Sequence, residues 1–222
     1  MAARKVLILG ASRGIGRELA RQYKQAGWHV IATARQAADV AALQAEVDRA
    51  FAIDVADPAS ASGLAWQLDG EKLDLVVHVA GIMDRQPFSD LVTQERFDRI
   101  MHANVLGVLQ TIPQVAPLLV PGGVLGVIGS IMGSLERTVT ADAVLYRVSK
   151  AAVNMVVRSA QAQYPELTVV SLHPGWVRTD MGGAGAALDV KQSAEDLRRV
   201  LGAMKPSHKG QYINHDGSTI PW

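Results

Sequence analysis

Tyr146 and Lys150, in Leu145-Tyr146-Arg147-Val148-Ser149-Lys150, pair a titratable acid with a cation at helical spacing. Residues i and i+4 share one helix face, with Cβ atoms roughly 5–6 Å apart, so the phenol and the ammonium share one field. A phenol titrates near ~10, and a neighbouring cation lowers that by favouring phenolate, which suits a group that gives and takes a proton. Lys150 is therefore expected to lower the pKa of Tyr146. With four Tyr and seven Lys in 222 residues, this spacing arises by chance in roughly one such chain in eight, so its surroundings decide its meaning.

A second constellation, Gly10-x3-Gly14-x-Gly16, stands between the apolar run Val6-Leu7-Ile8-Leu9 and a helical stretch from Arg17. Glycines there let a chain leaving a strand turn tightly and bring its backbone against a pyrophosphate, while the helix behind offers free N–H groups and a positive dipole end. The spacing differs from Gly-x-Gly-x-x-Gly, yet the strand before it and the helix after it favour a nucleotide-binding turn.

These residues need a scaffold that sets strand ends beside helix starts. At 222 residues, 49% hydrophobic and 19% charged with a net charge of +1, the chain has the size and composition of one globular domain. It has no basic run, so nucleic acid is not an expected partner. The lack of Cys excludes disulfides, thiolate catalysis and Cys-ligated metals, and no metal site is expected. The first apolar run is too short for a signal or membrane-spanning segment, which points to a cytoplasmic protein with no membrane partner. Apolar strands are expected from Lys5, then at Trp28 to Thr33, Ala50 to Ile53, Leu73 to Val79, Gly123 to Ile128, Thr168 to Leu172 and Gln211 to Asn214. Between them run helices from Arg17 to Ala26, Gln36 to Val47, after Asp57-Pro58, Thr93 to Leu119, Ala143 to Tyr164 and Ser193 to Met204, with Pro113 expected to kink or interrupt the fourth. Continuously apolar strands are buried on both faces. The alternation thus predicts one α/β domain over 1-222, a doubly wound (Rossmann) parallel sheet with helices on both faces, carrying both cofactor and substrate sites.

Taken in order, these residues resemble the short-chain dehydrogenase/reductase family, whose glycine motif and Tyr-x3-Lys signature have the spacings seen here. Asn104 in Asn104-Val105-Leu106-Gly107 resembles the family's helix-four asparagine, Ser130 in Ile128-Gly129-Ser130 its catalytic serine, and Pro174-Gly175-Trp176-Val177-Arg178-Thr179 its Pro-Gly-x-Val-x-Thr segment. Tyr146-Arg147-x-Ser149-Lys150, the long Ser130 to Tyr146 gap, His173-Pro174-Gly175-Trp176, Asp216-Gly217 and Ile220-Pro221-Trp222 resemble the subgroup that contains C-factor and the sniffer carbonyl reductase. One stretch departs from the family: His78-Val79-Ala80-Gly81 stands where Asn-Asn-Ala-Gly is usual. Ala80 and Gly81 keep the small residues that let backbone approach a ribose, and His78 is expected to be a satisfied core histidine ahead of a brace for the sheet.

The resemblance implies an oxidoreductase moving a hydride between NADP(H) and a small-molecule carbonyl or secondary alcohol. Tyr146 would donate the proton, Ser130 would hydrogen-bond the same oxygen, Lys150 would bind the nicotinamide ribose and tune Tyr146, and Asn104 would hold a water linking Lys150 to solvent. Cofactor contacts are implied for Gly10, Ser12, Arg13, Gly14, Ile15 and Gly16 in the turn, Asp54 and Val55 at the adenine, Ala80, Gly81, Tyr146 and Lys150 at the ribose, and Pro174, Gly175, Val177 and Thr179 at the nicotinamide. Charge favours NADP(H) over NAD(H). The second strand ends in Thr33-Ala34-Arg35, with no acid for a ribose 2′-OH, and Arg35, Arg13 and Ser12 make a clamp for a 2′-phosphate. Met83, Met132, Trp176 and Met181 are expected to line an apolar substrate pocket, under a glycine-rich lid from Met181 to Val190. The helix after Lys150 is apolar on more than one face, which suits a homodimer. The alternative is a dinucleotide-binding regulatory or signalling protein that has lost turnover. An S-adenosylmethionine-dependent methyltransferase ranks last, because it leaves Tyr146, Lys150 and Pro174-Gly175 without a role.

Overall fold

The computed structural model describes residues 3–222. In chain order it contains β1 (Lys5–Leu9), α1 (Gly14–Gln25), β2 (His29–Ala34), α2 (Ala37–Gln44), β3 (Arg49–Ala52), the short helices α3 (Pro58–Ser62) and α4 (Leu64–Gln67), and β4 (Leu73–His78). There follow α5 (Gln94–Met101), a π-helical turn (His102–Leu106), α6 (Gly107–Val115), β5 (Leu119–Ile128), α7 (Val144–Gln163), β6 (Thr168–His173), α8 (Val190–Gly202) and β7 (Tyr212–Asn214). The strands form one sheet in the order β3-β2-β1-β4-β5-β6-β7, and every neighbouring pair is parallel. The doubly wound architecture read from the alternation is the one observed.

Side chains alternate across each strand, and both faces find a core. Leu7, Leu9, Val76, Leu125, Val127 and Val169 pack with Val105, Val108, Val153 and Val157 on one side. Val6, Ile8, Val30, Val77, Val170 and Leu172 pack with Leu19, Leu43, Leu197 and Leu201 on the other. Each such side chain contributes roughly 1.5–3 kcal/mol when fully buried, which is why these strands read as unbroken apolar runs. The chain crosses over between β1 and β4, so a crevice opens at their carboxyl ends. Among the described residues no helix is long and apolar enough to cross a membrane.

Pro113 does not break the long helix. The chain stays helical through Pro113 to Val115, and the departure from α geometry falls upstream at His102–Leu106. Pro113 lies two residues from the end of α6, and the acceptor it leaves without an intrahelical donor, the carbonyl four residues back, belongs to the half-exposed Leu109, where water can reach it. The π turn sets Gly107 against the segment after β3, where a Cβ on Gly107 would lie 2.9 Å from the Val55 carbonyl oxygen. Gly107→Ala is therefore expected to destabilise the protein by about 1–3 kcal/mol. Urea unfolding checks this, and an unchanged midpoint would contradict the close contact.

Candidate active site

Backbone meets backbone at the crevice. The N–H groups of Val79 and Ala80 both donate to the Leu9 carbonyl, at 2.8 and 3.0 Å. Gly10 has φ +90° and a Cβ there would lie 2.7 Å from Ala80 N, while a Cβ on Gly16 would lie 2.1 Å from the Gly10 oxygen. Only glycine fits either position. α1 starts at Gly14 with Arg13 as an extended N-cap that makes no side-chain capping bond, and no acid stands in its first turn. Its open N–H groups and positive dipole end fit a phosphate. Ser12 is half-buried beside them, and Ile15 packs against the core. Ala11 N–H donates to the Thr33 carbonyl (2.7 Å), which brings the end of β2, and the exposed Arg35 after it, beside the turn.

Arg13 meets Asp180 in a 2.6 Å ion pair whose side chains are 74% and 75% exposed. Nothing in the spacing signals this pair, and at about 0–1 kcal/mol an exposed pair leaves Arg13 free to turn toward a phosphate. Thr179 reaches the same place, its Cγ2 3.4 Å from where a Cβ on Gly14 would stand. Asp54 follows β3 and accepts the Ala56 N–H (2.9 Å), whereas Asp57 caps α3 through the Ala59 N–H (2.9 Å). Val55, Pro174 and Val177 are buried, and Gly175 has φ +83°.

Tyr146, Lys150, Ser130 and Asn104 are all buried. α7 is entered through Ala143, whose φ of 51° is the one positive value among the described non-glycine residues. Such a left-handed residue costs about 1–3 kcal/mol. Arg147 holds the entry in place, donating to the Asp142 carbonyl (2.8 Å) and carboxylate (2.9 Å). One turn on, Lys150 Nζ donates to the Ile128 carbonyl (2.9 Å) and stands 5.7 Å from the centre of the Tyr146 ring. Ser130 follows β5. Its carbonyl accepts from the Tyr212 hydroxyl, and the next N–H, of Ile131, donates to His173 Nδ1 (3.2 Å). Asn104 sits in the π turn, where its amide donates to the Ile82 carbonyl and Ser149 Oγ, both at 2.9 Å, and accepts the Ile82 N–H at 2.8 Å. Both amide hydrogens are thus committed, so a water held at Asn104 must come to an oxygen.

Three expectations are corrected. Burial pushes the Tyr146 phenol above its ordinary pKa, and the nearby Ser130 hydroxyl offsets only part of this. The ammonium of Lys150, directed at the Ile128 carbonyl and itself desolvated with a pKa pushed down to about 8, does not overcome that burial, so the net shift is upward. His78 is not a satisfied core histidine. It is 2% exposed, and among the described residues neither ring nitrogen makes a well-formed hydrogen bond, its own carbonyl and that of Gly107 being the backbone acceptors that act on it. Burial, and then the charge of Lys150, hold its pKa at about 4, so the ring is neutral. The segment from Met181 to Val190, expected as a glycine-rich lid, is tied at both ends. Arg178 N–H and Leu188 N–H exchange bonds with the carbonyls of Leu188 (2.8 Å) and Trp176 (3.0 Å), Thr179 Oγ1 accepts the Gly182 N–H (2.9 Å), and α8 begins at Val190.

Trp176 and Met181 are exposed near one another, the indole N–H donating to the Gly182 carbonyl (2.9 Å), while Met83 and Met132 are half-buried on the loops after β4 and β5. Ser149 and His173 were noted only as parts of motifs, with no role, and Tyr212 only as part of the closing strand. Ser149 accepts from the Asn104 amide, the Ile131 N–H donates to His173, and Tyr212 donates to the Ser130 carbonyl. The last two contacts span 42 and 82 residues, a separation that local spacing does not signal.

Fold and site together define a dinucleotide-binding α/β protein with a buried tyrosine–lysine pair. The chain belongs to the short chain dehydrogenase family, whose sequence profile matches residues 4–187. It is 34% identical over 226 residues to a 1-hydroxy-2-glutathionyl-2-methyl-3-butene dehydrogenase of Rhodococcus sp. (strain AD45), covering 98% of this chain and 99% of that one. It is 36% identical over 154 residues to C-signal of Myxococcus xanthus, covering 68% and 93%. Among solved structures, carbonyl reductase Sniffer of D. melanogaster superposes with a TM-score of 0.91 at 25% identity, over 100% of both chains. A carbonyl reductase from Pseudomonas aeruginosa PAO1 in complex with NADP does so with 0.87 at 30% identity, also over 100% of both. These similarities place the chain in the carbonyl reductase-like subgroup.

Burial of Lys150 has a measurable consequence. Its pKa falls on folding from 10.5 to about 8, so between those values the unfolded chain binds the extra proton and the Lys150 contribution makes stability rise with pH. Tyr146, shifted upward, opposes this only above ~10. From pH 7.5 to 9.5 the wild type is expected to gain about 2 kcal/mol relative to Lys150→Met. Urea unfolding of both proteins at the two pH values measures it, and a constant difference would be inconsistent with the buried ammonium.

Proposed function

We propose that the chain is an NADP(H)-dependent carbonyl reductase, moving a hydride between the nicotinamide and a carbonyl or secondary alcohol. The observation that carries this reading is the buried convergence of Tyr146, Ser130, Lys150 and Asn104 beside an uncapped helix N-terminus. When bound, the nicotinamide supplies or accepts the hydride. Tyr146 gives its proton to the carbonyl oxygen, and the Ser130 hydroxyl donates to the same oxygen, a bond that strengthens as charge develops there. A phenol is protonated at neutral pH without any shift, and burial acts in the same direction, so Tyr146 is in the state in which it must begin a reduction. Lys150 stabilises the phenolate that remains and binds the nicotinamide ribose. Asn104 braces Ile82 and Ser149 and offers an oxygen to a relay water.

Gly10, Gly14 and Gly16, with Ser12, Arg13 and Ile15, cradle the pyrophosphate, Asp54 and Val55 meet the adenine, and Ala80 and Gly81 face the ribose. Pro174, Gly175 and Val177 form the wall that ends in Thr179 at the carboxamide. Arg35, Arg13 and Ser12 select NADP(H), a reading supported by the NADP complex of the Pseudomonas relative. Met83, Met132, Trp176 and Met181 border the substrate. One domain carries both sites. A regulatory role draws support from the likeness to C-signal, but such a role gives no reason for four buried catalytic groups and ranks second. A homodimer is proposed on the exposure of Val148 and Met155 along α7, at 50% and 67%.

A carbonyl panel followed by NADPH and NADH oxidation tests the reading. Tyr146→Phe is expected to lower kcat by about 10²–10⁴-fold, and Lys150→Ala to weaken NADPH binding as well as turnover. Equal turnover by Tyr146→Phe would remove the acid–base assignment, and a clear preference for NADH would remove the Arg35 argument.

A further inference from the structure

The crevice is bordered by the loops after β4, β5 and β6, and two hydrogen bonds tie them together. Phe88 N–H on the first donates to the Ala141 carbonyl on the second (3.3 Å), and Arg85 Nη2 on the first donates to the Met181 carbonyl on the third. The rim is apolar, with Phe88, Val139, Trp176 and Met181 all exposed. Most of its arginines are neutralised: Arg13 by Asp180, Arg96 by Asp84, Arg147 by Asp142 and Arg178 by Asp189. Arg85 differs. Among the described residues it has no carboxylate partner, and its guanidinium, with five N–H donors, makes that one bond to a carbonyl. The neighbouring Asp84 is buried and committed to Arg96 and the Gln86 N–H. Arg35 is assigned above to the cofactor phosphate, and Arg137, which also has no carboxylate partner among the described residues, makes no hydrogen bond there to the third loop; its own stretch is joined to Trp222, whose carbonyl accepts the Leu135 N–H (2.6 Å).

We propose that Arg85 is a specificity-determining residue that selects carbonyl substrates with an apolar body and an anionic group, a carboxylate, at the far end from the reacting carbon. A carboxylate at the rim replaces the Met181 carbonyl on the fork of the guanidinium, a charge-assisted and potentially bidentate bond in place of a neutral one. The apolar body lies against Phe88, Trp176 and Met181, and the carbonyl reaches Ser130 and Tyr146. This rests on the reductase reading and adds to it the chemical class of substrate.

The test compares 4-carboxybenzaldehyde with its methyl ester, which share carbonyl and ring and differ in charge. In wild type, kcat/KM for the acid is expected to exceed that for the ester by about 10-fold or more, chiefly through KM, and to lose this advantage as ionic strength rises. Arg85→Gln abolishes the preference, Arg85→Lys keeps part of it, Arg137→Gln keeps it, and the ester is turned over equally by all four proteins. Equal rates on acid and ester in wild type, or a preference that survives Arg85→Gln or vanishes in Arg137→Gln, would overturn the assignment to Arg85 while leaving the reductase reading intact. No turnover of either compound counts against the reductase reading. Calorimetric binding of 4-carboxybenzaldehyde in the presence of NADP then decides the Arg85 proposal separately: weaker binding by about 10-fold in Arg85→Gln supports it, and unchanged affinity refutes it.

Discussion

The site depends on holding one ammonium out of water. Lys150 is 5% exposed and carries no ion pair, and an isolated buried cation is tolerated only where its hydrogens find acceptors and its neighbours stay uncharged. The Ile128 carbonyl supplies an acceptor at 2.9 Å, and His78, on which the Lys150 charge acts, is neutral. Tyr146 is likewise neutral in its raised state. The arrangement costs stability at neutral pH, and it leaves hydrogens of the ammonium available for a ribose hydroxyl and for the negative charge that appears on the phenol as the proton leaves.

To reach that position the cation needs walls that come unusually close, and the walls are glycines. A Cβ on Gly81 would lie 3.5 Å from Lys150 Nζ and 3.1 Å from Asn104 Oδ1, and one on Gly133 would lie 2.7 Å from the Lys150 backbone. Gly133 is fixed in turn by Asn154, which donates to its carbonyl (3.2 Å) and accepts from Ser171 Oγ on β6 (2.7 Å). Tyr212 on β7 holds the Ser130 carbonyl. The far strands of the sheet therefore set the position of the loop that carries Ser130.

This division explains what was legible in the sequence. The strands announced themselves because burial on both faces leaves no polar alternation, and Gly10, Gly14, Gly16, Tyr146 and Lys150 did so because turn and helix geometry fix their spacings. The long helix was expected to be interrupted at Pro113 and instead departs from α geometry at His102–Leu106, since a local breaker is visible in sequence whereas the tertiary contact between Gly107 and Val55 is not. The direction of the Tyr146 shift was misjudged for a related reason. Helical spacing reports that two side chains share a face, but desolvation depends on what covers them, here loops and helices distant in the chain. The three glycines at 182, 183 and 185 suggested mobility, yet Gly182 is small because a Cβ would lie 1.8 Å from the Val177 carbonyl oxygen. Glycine there serves close packing.

The same contrast separates the reaction from its substrate. The groups assigned to proton transfer and cofactor binding sit at strand ends and helix starts, where backbone hydrogen bonds and core packing fix them to a fraction of an ångström, and such positions recur with the fold. The rim is made of loops joined to one another by single hydrogen bonds, and its exposed side chains have no period or cap to constrain their identity. A chain of this kind can change its rim without disturbing the buried ammonium. Reaction class is therefore a property of the sheet, while substrate choice belongs to a few exposed residues, and an unneutralised charge among apolar neighbours is the physical mark by which such a residue can be found.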